Sequence, residues 1–462
     1  MKRIDLASIS QFSQGRLRSG DAGLLVTRVN TDSRSIQPGD VFIALVGERF
    51  DAHDFIEQVA NAGAAACIVS RFDEAWRALP CAFIEVPDTL VGLQNLAKNY
   101  REWHCPIVIG ITGSNGKTSA KDMTCAVMAS AHQVCATIGN LNNHIGLPLS
   151  ILGLSAGDDC GVFELGMNHP GEIAPLAAIA QPDVAIITSV GIAHIEFMGS
   201  REAIALEKGM LAEAVPATGH IILNANDDFT DSIAARCKGK VTRAGIGLGD
   251  VSAHNLVAST AGTAFDLDFA GTRVAAFVPV PGEHMVGNAT LAAAAAWRLG
   301  VAPSAIVESL RHSTLTKGRL QQKVIHGITF LDDSYNANPD SVKAGLRTLA
   351  GLSCEGRKIA VLGRMGELGE HAEQSHSEVG EYAEHLGIDI ICSVGDNEAR
   401  LITESVTEAA FDDDPGTMTH HYHDQQSCAE HLRSVLIAGD LVLVKGSRSA
   451  AMEKVIAHFA EL

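Results

Sequence analysis

The feature that most limits the fold of this chain is an apolar run that ends in a glycine-rich turn. Residues 106–113 read PIVIGITG, and the turn at 112–118, TGSNGKT, leads directly into a helical stretch. A strand, such a turn and a helix in this order form a cradle of backbone N–H groups for phosphate, aided by the partial positive charge of the helix N-terminus. The sequence therefore predicts a parallel α/β sheet with a phosphate site at its edge.

Two side chains of the turn carry the expected chemistry. Lys117 supplies positive charge to the β- and γ-phosphates of a nucleoside triphosphate, and Thr118 supplies a hydroxyl for Mg²⁺. The strict pattern GxxxxGK[ST] is not met, because Ile111 stands where its first glycine would be. We predict ATP as the nucleotide, with these residues around it: Thr112, Gly113, Ser114, Asn115, Gly116, Lys117, Thr118 and Ser119.

Strand-like runs alternate with helix-like segments along the whole chain, which predicts α/β units with parallel sheets. The 462 residues suggest about three domains, at roughly 150 residues each. We expect a small α/β domain at 1–86, a central phosphate-loop domain at 87–315 and a doubly wound domain at 316–462. In open α/β sheets, ligands collect at the carboxyl ends of the strands.

Composition restricts the partners. Lys and Arg number 35 against 54 Asp and Glu, a formal charge of −19, which argues against general attraction to nucleic acid or an anionic membrane. No uninterrupted apolar run reaches the ~20 residues of a membrane span, and the N-terminal MKRIDLASIS lacks the apolar core of a signal peptide. The 10 Cys contain no CxxC pair. We expect a cytoplasmic monomer with reduced thiols, no nucleic-acid partner and no membrane insertion.

Further motifs extend the pattern over nearly the whole chain. DSRSIQPGDVFIALVGERFDAHDF lies near the N-terminus, GNLNNHIGLP lies in the centre, and KGRL occupies 317–320. Together with TGSNGKT they resemble the Mur ligase family, ATP-dependent enzymes that form amide bonds in peptidoglycan precursor synthesis. DDSYNANPDS, VLGRMGELG and LVKGSRS resemble the members that add D-alanyl-D-alanine. The resemblance implies transfer of this dipeptide to UDP-N-acetylmuramoyl-tripeptide through an acyl phosphate, with release of ADP and phosphate.

A carboxylate and a triphosphate repel each other, so this chemistry needs cations between them. Glu164 ends the strand VFEL and is expected to hold Mg²⁺ together with Thr118. The resemblance implies that His194 contacts a second metal and that Lys208 is carbamylated, which makes it an anion. Taken alone, each side chain also fits a structural or solvent-exposed role. The expected catalytic residues are Lys117, Glu164, His194 and Lys208, and the expected metal ligands are Thr118, Glu164, His194 and Lys208.

The resemblance also implies nucleotide contacts from outside the turn. Asn288 is expected near adenine, Arg319 on phosphate through its guanidinium fork, and Asp333 on the ribose hydroxyls. Asn336 is expected to join them from the interdomain cleft. Because Arg319 and Asp333 lie beyond the central region, the last domain is expected to close onto the nucleotide and to exclude water.

The substrate contacts are expected on five segments of the chain. The UDP-sugar peptide is assigned Ser33, Arg34, Asp51, His53, Thr137, Asn140, Asn142 and Asn143. Lys445, Ser447 and Arg448 leave the strand DLVLV and are expected to hold the dipeptide carboxylate. Asn338 is expected at the interdomain cleft with Asn336, although a plain turn before Pro339 fits both residues as well.

Two other functions stay open at this stage. A ligase similar to folylpolyglutamate synthase would share the loop and the mechanism, but the UDP-sugar type of first domain speaks against it. A phosphate-loop regulatory ATPase would release phosphate without making an amide. The sequence leaves the third residue of the accepted peptide open, since diaminopimelate and lysine fit equally.

Overall fold

The structure is a computed structural model that describes residues 1–406 and 416–461. Its three main sheets have five, nine and six strands and follow one another along the chain. The predicted three-domain α/β class is confirmed, while the boundaries at 86 and 315 stay predictions. No helix in the described ranges is both long and apolar enough to cross a membrane.

The first sheet has the order β2-β7-β6-β5-β4, and β1 pairs with β3 separately. Strands β4 to β7 are parallel, and β2 runs antiparallel at the edge. Both faces are buried, as the uninterrupted apolar strands require. The elements are β1 (Ile4–Asp5), α1 (Leu6–Phe12), β2 (Arg16–Ser19), β3 (Leu25–Val26), β4 (Val29–Asn30), β5 (Val41–Ile43), α2 (Ile56–Asn61), β6 (Ala66–Val69), β7 (Ala82–Glu85) and α3 (Thr89–His104).

The central sheet has the order β16-β15-β14-β13-β12-β11-β8-β10-β9. Its strands and helices are β8 (Ile107–Thr112), α4 (Lys117–Met128), β9 (Val134–Ala136), α5 (Gly146–Leu152), β10 (Cys160–Glu164), α6 (Ile173–Ala180), β11 (Val184–Ile187), α7 (Ile195–Met198), α8 (Arg201–Glu213), β12 (His220–Asn224), α9 (Thr230–Ala234), β13 (Lys240–Ile246), β14 (Val251–Ser259), β15 (Gly262–Phe269), β16 (Thr272–Val278), α10 (Glu283–Arg298) and α11 (Pro303–Arg311). The predicted parallel pairing is confirmed from β9 to β14. It is wrong for the pairs β14–β15 and β15–β16, which are antiparallel. Two residues separate β14 from β15 and β15 from β16. A connection this short reverses the direction of the chain, whereas a parallel pair usually needs a crossover connection of a dozen or more residues.

The last sheet has the order β17-β18-β22-β19-β20-β21, and only β17 is antiparallel. Val442 and Val444 face one apolar core, whereas Leu441 and Leu443 face another. This alternation buries both faces, as in a doubly wound domain. The elements are β17 (Gln321–Ile325), β18 (Ile328–Asp333), α12 (Pro339–Gly351), β19 (Lys358–Gly363), α13 (Ala372–His385), β20 (Ile390–Val394), α14 (Asn397–Glu404), β21 (Met418–Tyr422), α15 (Gln425–Val435), β22 (Leu441–Lys445) and α16 (Glu453–Glu461).

Strand β8 places the phosphate turn at the middle of the central sheet. It lies between β10 and β11 and is parallel to both. In this register Glu164 is opposite Ile111, and Ile187 is opposite Thr112. The carboxyl ends of three parallel strands therefore meet at one edge, where α4 begins.

Candidate active site

Two glycines shape the turn between β8 and α4. Gly113 and Gly116 have φ values of 154° and 82°, which side chains rarely adopt. A Cβ on Gly113 would lie 1.9 Å from Thr188 Oγ1, and one on Gly116 would lie 2.4 Å from Asn288 Oδ1. No side chain caps the N-terminus of α4, so its first N–H groups remain available to an anion.

Lys117 begins α4 and folds back over the turn. Its Nζ donates a hydrogen bond of 2.7 Å to the carbonyl of Gly113. Burial lowers the pKa of Lys117, opposed by the nearby Glu164 carboxylate and reinforced by Arg319. A bound polyphosphate would place negative charge next to this ammonium group and would stabilise its charged form.

Glu164 lies beside the turn and is only 2% exposed. Thr118 Oγ1 donates to Glu164 Oε2 over 3.4 Å, and the Glu164 backbone N–H donates to Thr137 Oγ1 over 3.0 Å. The second carboxylate oxygen, Oε1, is buried and has no hydrogen-bond partner within the described residues. An unpaired buried carboxylate oxygen next to a hydroxyl fits a hard divalent cation.

Lys208 lies on α8 and is 1% exposed. Burial holds its pKa well below the ordinary value, Lys117 lowers it further, and Glu207 opposes both effects. His194 precedes α7 with a left-handed φ of 64°, and its Nδ1 lies 2.7 Å from Glu367 Oε2. The pKa of Glu367 is lowered mainly by this contact.

The C-terminal domain is docked on the phosphate turn. Arg319 Nη2 donates to Thr118 Oγ1 over 3.4 Å, and Asn338 Nδ2 donates to Asn115 Oδ1 over 2.8 Å. Asp340, in the first turn of α12, accepts a hydrogen bond of 3.1 Å from the backbone of Ile192. The C-terminal domain therefore contacts the central domain at the phosphate turn and beside it, while closure onto a bound nucleotide stays a prediction.

A cavity of about 1220 Å³ lies between the central and C-terminal domains. Lys445 Nζ, 2% exposed, donates to Asp333 Oδ2 over 2.6 Å and to the carbonyl of Asn336 over 3.0 Å. His284, on α10, also lines the cavity, and burial lowers its pKa to about 4. Seven of the predicted site residues line the cavity: Asn115, Gly116, Ser119, Asn288, Arg319, Asp333 and Lys445.

This arrangement separates the residues expected to bind the dipeptide. Lys445 lies in the cavity with the residues assigned to ATP. Ser447 and Arg448 do not line it; the Arg448 side chain is 68% exposed and pairs with Glu453. The three side chains therefore do not form a single binding site for the dipeptide carboxylate in this structure.

The first-domain candidates lie at the carboxyl ends of β4 and β5. Ser33 and Arg34 form a 3-10 helix, and the Arg34 guanidinium is exposed and pairs with Asp32 over 2.8 Å. His53 is buried, with Nδ1 2.6 Å from Asp51 Oδ1 and Nε2 accepting from the Ser70 backbone. Because both His53 nitrogens have protein partners, this geometry favours a structural role for His53.

In the polar loop at 137–143, some side chains are exposed and others form hydrogen bonds within the protein. Asn140 is exposed, and Asn142 is half-buried against Gly166. Asn143 Oδ1 accepts hydrogen bonds from the start of α5, including one of 2.8 Å from Gly146. Thr137 is bonded to Glu164, which connects this loop directly to the phosphate turn.

Sequence reasoning missed four polar residues of the site. Glu367 lies in VLGRMGELG and Asp340 in YNANPDS, motifs that were recognised without a role for these carboxylates. Thr188 and Ser189 follow β11 and bond to the Asn115 backbone. Their position at a carboxyl strand end was the signal that would have found them.

Comparison with known proteins decides the family. Three family models match: "Mur ligase family, catalytic domain" at 25–101, "Mur ligase middle domain" at 111–296 and "Mur ligase, glutamate ligase domain" at 318–448. A relative from Escherichia coli (strain K12), UDP-N-acetylmuramoyl-tripeptide--D-alanyl-D-alanine ligase, is 35% identical over 467 residues, 100% of this chain and 99% of its own. The chain belongs to the Mur ligase family.

Solved Mur ligase structures agree with this assignment. A crystal structure of MurF from Acinetobacter baumannii has a TM-score of 0.91 at 33% identity, with 100% of both chains covered. MurF from Thermotoga maritima in complex with ADP has a TM-score of 0.83 at 28% identity, covering 94% of this chain and 97% of its own. The three-domain Mur ligase fold therefore extends over the whole chain.

Proposed function

We propose that this Mur ligase uses ATP to join D-alanyl-D-alanine to UDP-N-acetylmuramoyl-tripeptide. The observation that carries the proposal is the meeting of Arg319, from the C-terminal domain, with Thr118 of the phosphate turn. This contact brings the Arg319 guanidinium, a second cation besides Lys117, to the phosphate turn at the interdomain cavity. The choice of substrates is supported by the full-length relative at 35% identity, whose name states this activity.

The reaction has two steps. The tripeptide carboxylate attacks the γ-phosphorus of ATP, which gives an acyl phosphate and ADP; the dipeptide amine then attacks the acyl carbon, and phosphate leaves. Lys117 and Arg319 place positive charge where phosphate charge accumulates. The docked C-terminal domain covers the turn, so water has less access to the acyl phosphate.

We propose Mg²⁺ as the metal of this site. Thr118 and Glu164 would hold one ion, and His194 would contact a second. When bound, the metal would neutralise phosphate charge between the two anionic substrates. The described residues contain no cluster of three or more His, Cys, Asp or Glu ligands. The unpaired oxygen of Glu164 beside the Thr118 hydroxyl suits Mg²⁺, which usually binds one or two protein carboxylates together with waters and substrate phosphates.

Lys208 fits this site after modification. As an ammonium it would add a second buried cation beside Lys117 and would repel a metal. Its lowered pKa favours the neutral amine, which can attack carbon dioxide and lose a proton to give a carbamate. The proposal therefore assigns Lys208 an anionic role next to the metal.

The remaining assignments are also proposals. Asn288 would contact adenine and Asp333 the ribose, while Ser33, Arg34 and Asn140 would contact the UDP-sugar peptide. Residues 1–86, 87–315 and 316–462 would form the UDP-sugar, ATP and dipeptide domains. We propose that the enzyme works as a cytoplasmic monomer.

One assay tests the function. ADP release is measured with UDP-N-acetylmuramoyl-tripeptide plus D-alanyl-D-alanine, and in parallel with diaminopimelate, glutamate or no amine. We expect stimulation by D-alanyl-D-alanine alone, with a product heavier than the tripeptide by the dipeptide less one water. Glutamate-dependent release would favour a folylpolyglutamate-type ligase, and amine-independent release would favour a regulatory ATPase. Tripeptides ending in diaminopimelate or lysine identify the preferred third residue.

A further inference from the structure

Arg319 occupies an unusual stretch of backbone. Its neighbours Gly318 and Leu320 both have left-handed φ values, 73° and 52°. A branched apolar residue such as Leu320 adopts this region only when its surroundings enforce it. The chain is therefore held in a fixed course on both sides of the guanidinium-bearing residue.

Tyr335 provides part of that restraint through its backbone. Its N–H donates a hydrogen bond of 3.2 Å to the carbonyl of Gly318. A Cβ on Gly318 would lie only 3.0 Å from the Tyr335 nitrogen, so the two segments are in close contact. Tyr335 thus fixes the turn from which Arg319 extends.

The Tyr335 ring also contacts the guanidinium itself. Arg319 Cζ lies 4.3 Å from the ring centroid, a distance at which the ring face attracts a cation. Arg319 Nη2 reaches Thr118, but Arg319 Nε is buried and has no hydrogen-bond partner within the described residues. The ring therefore covers the guanidinium without using its N–H donors, and the Nε–H group has no described protein partner and can donate to an anion.

We propose that Tyr335 is a positioning residue that holds the Arg319 guanidinium ready for the phosphates of ATP; this rests on the proposed function, in which Arg319 binds phosphate. A long arginine side chain loses considerable rotamer freedom when it becomes ordered. Stacking on Tyr335 orders the Arg319 side chain before ATP arrives, so less conformational entropy is lost when ATP binds. The ring, and not the hydroxyl, carries this role, because the hydroxyl makes no hydrogen bond to any described residue.

A double-mutant cycle tests the proposal. ATP affinity is measured by calorimetry, without the other substrates, for wild type, Tyr335→Leu, Arg319→Ala and the double variant. We expect Tyr335→Leu to weaken ATP binding by roughly threefold to thirtyfold, the range of a partly desolvated cation–π contact. In the Arg319→Ala background the same change should have no further effect, since its target is gone.

Conservative variants separate positioning from folding. Tyr335→Phe keeps the ring and should restore wild-type ATP affinity, while Tyr335→Met keeps the bulk without an aromatic face and should behave like Tyr335→Leu. If Tyr335→Leu does not fold, Tyr335→Met takes its place in the cycle. The KM for ATP should rise, and the KM for D-alanyl-D-alanine should stay unchanged.

Three results would overturn the inference: wild-type affinity in Tyr335→Leu and Tyr335→Met, equal losses with and without Arg319, or a loss in Tyr335→Phe as large as in Tyr335→Leu. Failure of the proposed function looks different. Wild type would then bind ATP but show no D-alanyl-D-alanine-dependent ADP release, and the binding cycle would still report on Tyr335.

Discussion

His194 of the central domain and Glu367 of the C-terminal domain face each other across the junction, with Nδ1 and Oε2 2.7 Å apart. Both have left-handed backbone conformations, with φ of 64° and 61°. For residues other than glycine, such conformations each cost on the order of 1 kcal/mol. The structure maintains both where the two domains meet, so docking of the C-terminal domain and placement of His194 are linked.

The first prediction concerns Glu367→Ala, which removes the carboxylate opposite His194. The pair is partly exposed, so its loss should make the free energy of docking of the C-terminal domain less favourable by about 0.2–1 kcal/mol. We expect a modest fall in kcat and, without substrates, a larger radius of gyration in small-angle scattering. Glu370→Ala, at an exposed carboxylate three residues along, is the matched control and should change neither. Equal effects from both variants would contradict a specific role of the pair.

The second prediction concerns Gly116→Ala. The new Cβ would meet Asn288 Oδ1 at 2.4 Å and would sit on a residue with φ of 82°. We expect loss of ATP binding and a fall in unfolding free energy of about 1–3 kcal/mol, measured by calorimetry and urea unfolding. Gly139→Ala is the control, because Gly139 also has a positive φ but has nothing within 4 Å of the added Cβ. An equal fall in unfolding free energy for both variants would contradict the prediction, because it would show that backbone strain, and not the contact with Asn288, causes the loss.

The phosphate turn could be predicted from sequence because all of its determinants are local. A strand, two glycines and a helix start lie within a dozen residues, and the register of parallel strands then brings Glu164 to the same edge. The doubly wound C-terminal sheet was predictable for a similar reason, since its strands are short apolar runs that end in polar residues.

The interdomain contacts could not be predicted in the same way. Asn115 and Asn338 are separated by 223 positions, and no local pattern specifies that they meet. Lys445 shows the same limit: it is the last residue of β22, and its ion pair with Asp333 on the neighbouring strand β18 holds it at the cavity. Such contacts depend on how whole domains dock.

The third prediction concerns pH and His284. Burial lowers the pKa of His284 from 6.5 to about 4; Lys445 and Arg347 act in the same direction, and Asp333 opposes them. Between these values the unfolded chain binds more protons than the folded one, so this histidine makes stability fall as pH decreases from 6.5 to 4. We expect His284→Gln to reduce that dependence in urea unfolding between pH 4 and 7. The exposed His312→Gln should leave it unchanged, and identical slopes for wild type and His284→Gln would refute the prediction.

The last prediction concerns Lys208. If its amine carries a carbamate, Lys208→Ala should lose most of its activity, because an anion disappears from the proposed metal site, where two polyanionic substrates also meet. The fold should survive, since the substitution also removes a buried amine whose protonation burial disfavours. Turnover and thermal unfolding are compared with those of Lys98→Ala on α3, a helix that carries none of the residues assigned to ATP, metal or substrate, so this variant should retain full activity.

Chemical rescue then identifies the charge that Lys208 supplies. Formate or acetate can enter the space vacated in Lys208→Ala and restore a negative group there, whereas small alkylamines would restore a positive one. We expect kcat to rise with the concentration of carboxylate, and to saturate, with no response in the Lys98→Ala control. Rescue by amines but not by carboxylates, or full activity of Lys208→Ala without either, would rule out the carbamate, because the side chain would then act as a cation or not at all.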